Sequence, residues 1–233
     1  MRYLTGLVFW LFLFPLALLA DASMPMVSAD RVFEEQAGFV EVEAEHFYRQ
    51  TLTDKRRWYI SHAGQEPLQE PDGDPPHPAG ASGGTYIEIL PDTRRTHDDE
   101  LIKGENFSNE PGKLAVLHYR VKINNPGRYY VWVSAFSTGT EDNGIHVGLD
   151  GAWPQSGQRM QWCKGKNRWR WESRQRTREQ HCGEPYKIYL DIENSGEYDI
   201  QFSMREDGFE FDRFILTKER ELPASYTEPF FAD

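Results

Sequence analysis

Three carboxylates near opposite ends of the chain have the types and spacing to share a cation. The segment Val40-Glu41-Val42-Glu43-Ala44-Glu45 alternates glutamate with small apolar residues, so as a strand it puts Glu43 and Glu45 on one face. Far downstream, Glu210-Phe211-Asp212-Arg213-Phe214-Ile215-Leu216 reads as a strand with Asp212 on the face of Phe214 and Leu216. A carboxylate among apolar neighbours is costly unless a cation or hydrogen-bond donors meet it. If the first and last strands lie close together, Glu43, Glu45 and Asp212 can share one hard, oxygen-seeking cation such as Ca²⁺. Such a site staples a fold and performs no catalysis.

A second constellation lies in Met160-Gln161-Trp162-Cys163-Lys164-Gly165-Lys166-Asn167-Arg168-Trp169-Arg170-Trp171-Glu172. Sugar rings present apolar C–H faces that stack on aromatic rings, while their hydroxyls need polar partners, and tryptophan beside arginine supplies both. As a strand, this segment puts Trp169 and Trp171 on one face and Arg168 and Arg170 on the other. The competing reading turns both tryptophans into the core and leaves the arginines solvated. Lys164, Lys166, Arg168, Arg170, Arg174, Arg176 and Arg178 make the stretch basic within an acidic chain. That asymmetry points to an anionic partner, and arginine forks match the sulfates or carboxylates of sulfated or uronic-acid polysaccharides. Pairing with the chain's own acidic surplus is the alternative. The expected ligand surface is Trp169 or Trp171 with Arg94, Arg95 and Arg170, and Trp58 and Trp162 stand next in line.

The segment Arg94-Arg95-Thr96-His97-Asp98-Asp99-Glu100 has an enzyme-like mix of groups, with His97 as acid or base. Consecutive loop residues do not converge without partners from elsewhere. No nucleophile elbow, His-Glu-x-x-His pattern or paired catalytic carboxylate motif accompanies them. Asn106-Phe107-Ser108 is a glycosylation sequon, meaningful where the host glycosylates.

The elements that must position these groups read as strands throughout. The chain has 233 residues and a formal charge of −11, which argues against nucleic acid as a partner. Arg2 and the apolar run ending at Ala20 read as a signal peptide, cleaved after Ala20 or after Ala29. An uncleaved anchor is the alternative, although the run is short for a membrane span and interrupted by Pro15. About 200 residues remain, enough for one domain. Residues 21–36 read as a flexible lead-in, 37–218 as the domain and 219–233 as a polar tail. Strands are expected at 39–47, 84–90, 114–123, 128–137, 144–149, 186–193, 197–204 and 209–217, with hairpin turns at 124–127 and 194–197. No amphipathic helix longer than two turns is visible. The pattern is an all-β antiparallel sandwich of the jelly-roll kind. Long loops at 63–84 and 91–113 stand out as functional or disordered. Cys163 and Cys182 are the two cysteines. In an exported protein they are expected to form a disulfide, with two buried free thiols as the alternative.

Four segments, in order, resemble galactose-binding-like carbohydrate-binding modules of the family 6 and 35 type. They are Val42-Glu43-Ala44-Glu45-His46-Phe47, the stretch from Tyr119 to Val133, Asn143 to Gly151, and Arg205 to Leu216. The opening segment is most similar to the C-terminal β-sandwich of family 115 glycoside hydrolases. The resemblance implies a structural calcium held by Glu43, Glu45 and Asp212, and a sugar site in the loops at one end of the sandwich. The length of the loops here departs from the pattern and leaves that site unplaced. The resulting expectation is a secreted or periplasmic monomer that binds a polysaccharide without chemistry. The rivals are a polysaccharide lyase or hydrolase using the His97 loop, and a module that docks a protein at the cell surface.

Overall fold

The computed structural model describes residues 22–64 and 69–227, so the apolar leader lies outside the described residues. Among these, no helix is long and apolar enough to cross a membrane. The strands in chain order are β1 (Phe33–Glu34), β2 (Phe39–Glu43), β3 (Arg49–Thr51), β4 (Arg57–His62), β5 (Thr85–Leu90), β6 (Val116–Ile123), β7 (Gly127–Phe136), β8 (Gly144–Leu149), β9 (Met160–Gln161), β10 (Arg170–Glu172), β11 (Arg174–Gln175), β12 (Glu184–Pro185), β13 (Tyr189–Ile192), β14 (Gly196–Met204) and β15 (Glu210–Thr217). One sheet runs β1-β6-β14-β8-β9-β11-β12, with β3 also on β6. The other runs β10-β7-β15-β5-β4, with β13 also on β7 and β2 also on β15. All pairings are antiparallel except the short β1–β6 pair, which is parallel. The result is the expected β-sandwich.

Two turns that read as hairpins do something else. Asn124–Gly127 links β6 to β7, and Asn194–Gly196 links β13 to β14, yet in both cases the flanking strands belong to opposite sheets. The first turn is held by a carboxylate instead of a strand ladder. Glu35, fully buried, accepts from the amides of Asn124 and Asn125, both at 2.9 Å. Described residues of the lead-in are thus tied to the sandwich. Phe33 and Glu34 pair with Val121 and Lys122, and Ser23 is buried where its carbonyl accepts from the Gln50 amide. The strands missed in the sequence are short or, like Arg57–His62, too polar to alternate cleanly.

Alternate residues of both sheets meet in one core, with Phe202, Phe211, Phe214, Tyr119 and Trp58 among its largest side chains. The β10-to-β4 sheet is also covered on its outer face. Tyr86 and Phe136 point away from the core there and pack with Trp169 beneath the loop at 72–81. Nearby, Ile215 and Trp171 are covered by Leu222 and Tyr226 of the tail. This second layer absorbs Trp169 and Trp171 of the basic segment.

His146 on β8 is fully buried in the other sheet, with Ser108 and Arg159 as its partners. Its Nε2–H donates to the Ser108 carbonyl, and its Nδ1 accepts from the Arg159 amide at 3.0 Å. The second bond requires the neutral ring, because a protonated Nδ1 cannot accept. Burial holds its pKa down to about 3, against an ordinary 6.5. Between those values the unfolded chain binds the extra proton, so this residue's contribution is complete above pH 6.5 and lost as pH falls toward 3. The expected slope is on the order of 1 kcal/mol per pH unit. Urea unfolding between pH 7 and pH 4 checks this: His146→Gln should flatten the dependence, and an unchanged slope would show that His146 does not carry it.

Candidate functional site

The two strands expected to carry the carboxylates do lie side by side. β2 pairs with β15 so that Glu43 is opposite Arg213 and Val42 opposite Phe214. The strand ends at Glu43, and Glu45 sits on a short 3-10 turn, Ala44–His46, instead of continuing the alternation. Asp212 also departs from the expected face. A bulge between Phe211 and Arg213 adds a residue to β15, so Phe211 and Phe214 both enter the core. Asp212 is turned toward Ser134 and Arg213 on the outer side.

The three carboxylates nonetheless share one neighbourhood, built around Ser82. The Ser82 amide donates to Asp212 Oδ1 at 2.7 Å, and its hydroxyl donates to Glu43 Oε1 at 2.8 Å. Arg213 Nε lies 3.2 Å from Asp212 Oδ2 and 4.0 Å from Glu43 Oε2. Glu43 Oε2 and Glu45 Oε2 are buried without a hydrogen-bond partner. Burial raises all three acids above the usual carboxylate range, Glu45 to about 8, with mutual repulsion adding to it in Glu43 and Glu45. One guanidinium faces three carboxylates here. Two buried carboxylate oxygens are thus left as an uncompensated acidic surplus.

The tryptophans expected at the ligand surface are largely buried. Trp169 is 3% exposed, and its Nε1–H donates to the His77 carbonyl at 3.0 Å. It offers no ring face to solvent. Trp58 and Trp162 are core residues. Trp171 is equally buried, but one edge of it, with Arg170, lines an open cleft of about 170 Å³. The other walls are Trp132, Glu172, Ser173, Arg174, Pro185 and Tyr186. Trp132 and Tyr186 are half-buried, their ring centres 6.0 Å apart, and Trp132 Nε1 has no hydrogen-bond partner. Sequence reasoning missed Trp132, although alternation with Val131 and Val133 placed it on the face away from the core.

The arginines are largely committed to acids. Arg94 is buried and pairs with Glu141, which also takes His97. Arg95 approaches Asp74 and Asp92, each at 3.9 Å. Arg170 and Arg174 clamp the two oxygens of Glu172 at 2.9 and 3.1 Å. Arg174 keeps 36% of its side chain exposed, so it can still meet a ligand at the cleft mouth. In the His97 loop, Asp99 is spent on its own turn, accepting from the Arg95 and Thr96 amides. The sequon is spent as well, since the Asn106 side chain is buried and bonds to Glu100, Ile102 and Thr93. Cys163 and Cys182 form the expected disulfide, with Cα atoms 5.2 Å apart, and it closes the loop that carries Trp169 and Trp171.

No family model matches the chain. A protein of Formosa agariphila, uncharacterized protein P23, is 58% identical over 197 residues, covering 84% of this chain and 48% of that one. The chain thus spans about half the length of the curated relative it matches. Solved structures similar to it include family 35 carbohydrate-binding modules, the group that its four segments resemble. One, from Clostridium thermocellum, is 15% identical with a TM-score of 0.41, covering 77% of this chain and 98% of the module. Another, from Paenibacillus barcinonensis, is 16% identical with a TM-score of 0.42 and the same coverage. An exo-β-1,3-galactanase from Phanerochaete chrysosporium is 13% identical with a TM-score of 0.43, over 76% of this chain and 28% of the enzyme.

Because Trp169 pins the 72–81 loop, its removal is a stability change. Trp169→Ala should lower the unfolding free energy by about 3–5 kcal/mol. Denaturant titration measures this, and a loss under about 1 kcal/mol would place the ring outside the packed layer.

Proposed function

We propose that this chain is a carbohydrate-binding β-sandwich that takes an anionic sugar in the outer-face cleft, without chemistry of its own. The observation that carries this reading is the pairing of half-buried Trp132 and Tyr186 with Arg170 and Arg174 in one open cleft. The aromatics supply a stacking surface and the arginines a match for sulfate or carboxylate. Trp171 and Arg170 remain in the site, while Trp169, Arg94 and Arg95 contribute from behind it by holding loops. Export fits the disulfide, since such bonds persist in oxidising compartments.

The same reading includes a calcium held by Glu43, Glu45 and Asp212. It would neutralise the surplus charge and fix the 82–84 turn against both terminal strands. Its chemistry is confined to that.

Affinity gels with sulfated and uronic-acid polysaccharides test the first part. A stacking ring contributes on the order of 1–3 kcal/mol by analogy with base stacking, so Trp132→Ala should weaken binding about tenfold or more. Retained affinity would move the platform elsewhere. New reducing ends or unsaturated products would favour an enzyme instead. For the second part, Ca²⁺ at a hundred times its Kd should add about 2.7 kcal/mol to stability. Chelator should therefore lower Tm by roughly 5–10 °C, and an unchanged Tm would remove calcium from the account.

A further inference from the structure

The outer face of the β10-to-β4 sheet holds a second acidic group, used neither by the cleft nor by the Ser82 neighbourhood. β5 and β15 place Glu88 and Glu210 opposite each other in register, and each is 2% exposed. The 72–81 loop brings Asp72, Asp74 and His77 down onto them. Asp74, His77 and Glu210 each offer a ligand atom, all within 4.8 Å of one another, and so do Asp72, Asp74 and Glu88. Asp74 belongs to both sets.

Some carboxylate oxygens of this group are met by partners, and two are not. His77 Nδ1 is 2.6 Å from Glu210 Oε1. The Thr138 hydroxyl donates to Asp74 Oδ2 at 2.5 Å, and Arg95 lies 3.9 Å from the same oxygen. Glu88 Oε1 and Glu210 Oε2 are buried with no hydrogen-bond partner. An uncompensated buried carboxylate is among the costlier features a fold can carry, and here two orphaned oxygens belong to a group of four acids. The arrangement is also pre-built. The His77 ring stacks on Phe136 at 3.9 Å, which fixes the imidazole. Gly73, between the two aspartates, lets the loop sit against its support. A Cβ there would fall 2.6 Å from Asp92 Oδ2 and closer still to Arg95.

We propose that Asp72, Asp74, His77, Glu88 and Glu210 form a second cation site, separate from Glu43, Glu45 and Asp212, that takes a first-row divalent metal such as Mn²⁺. The imidazole sets the preference. Calcium takes oxygen ligands, whereas a carboxylate-rich set with one histidine suits Mn²⁺, and four carboxylates exceed what a tetrahedral zinc site needs. The metal would fasten the 72–81 loop to β5 and β15 above the Tyr86–Phe136–Trp169 layer.

Electron paramagnetic resonance of free Mn²⁺ during titration of the full chain tests this, with excess Ca²⁺ present to fill oxygen-only sites. The expected result is one Mn²⁺ bound per chain. Glu88→Gln and His77→Asn should each weaken binding at least tenfold, in line with what even outer-shell changes cost metal sites. His77 is on the covering loop and 18% exposed, so its variant remains informative if Glu88→Gln fails to fold. Absence of Mn²⁺ binding by the unaltered chain overturns the proposal. So does binding that survives His77→Asn, or binding abolished by Ca²⁺, which would make this a site for a hard cation alone.

Discussion

The closing strand β15 sets the electrostatic terms for much of this fold. It is hydrogen-bonded to β7, β5 and β2, so it lies deep in its sheet, yet it carries Glu210 and Asp212 at positions with almost no solvent. The turn before it adds Glu206 and Asp207, also buried. Each acid needs an answer, and each has at least one, although one Glu210 oxygen stays without a partner. Arg205 answers Glu206, Arg56 and Thr93 answer Asp207, His77 answers Glu210, and Ser82 with Arg213 answers Asp212. Three of these partners, His77, Ser82 and Thr93, come from the two long loops.

The sandwich was legible because its main strands alternate cleanly and are bounded by glycine, proline and asparagine. Sheet membership was not. The Asn124–Gly127 turn has the composition of a hairpin, but the carboxylate that claims its amides, Glu35, lies far away in sequence. The three carboxylates of the terminal strands were legible as a set, because alternating Glu residues in a strand are unusual enough to need a common explanation. Their geometry was not, since the bulge at Asp212 and the turn at Ala44–His46 leave no mark on the hydrophobic pattern.

The burial of the tryptophans was the least legible feature, for a physical reason. Tryptophan and arginine in one segment satisfy two descriptions equally, a sugar platform and a packed layer with ion pairs. Which one holds depends on whether distant residues cover the rings. Here the 72–81 loop covers Trp169 and the tail covers Trp171, and both covers come from elsewhere in the chain. Trp132, uncovered on one side, looked like an ordinary strand residue. Charge behaved the same way. The basic segment read as a surface for an anion, yet Glu172, embedded within it, takes two of its arginines.

The pairing of β2 with β15 also orders events in time. During synthesis the opening strand emerges first, but its hydrogen-bonding partner appears only when nearly all the domain has been made. β1 likewise waits for β6. Contacts so distant along the chain make a fold slow to close. Until β15 arrives, β2 presents bare backbone, the kind of edge that invites pairing with other chains. The glutamates spaced along β2 keep that waiting strand charged, so the residues that burden the finished structure help to protect the unfinished one.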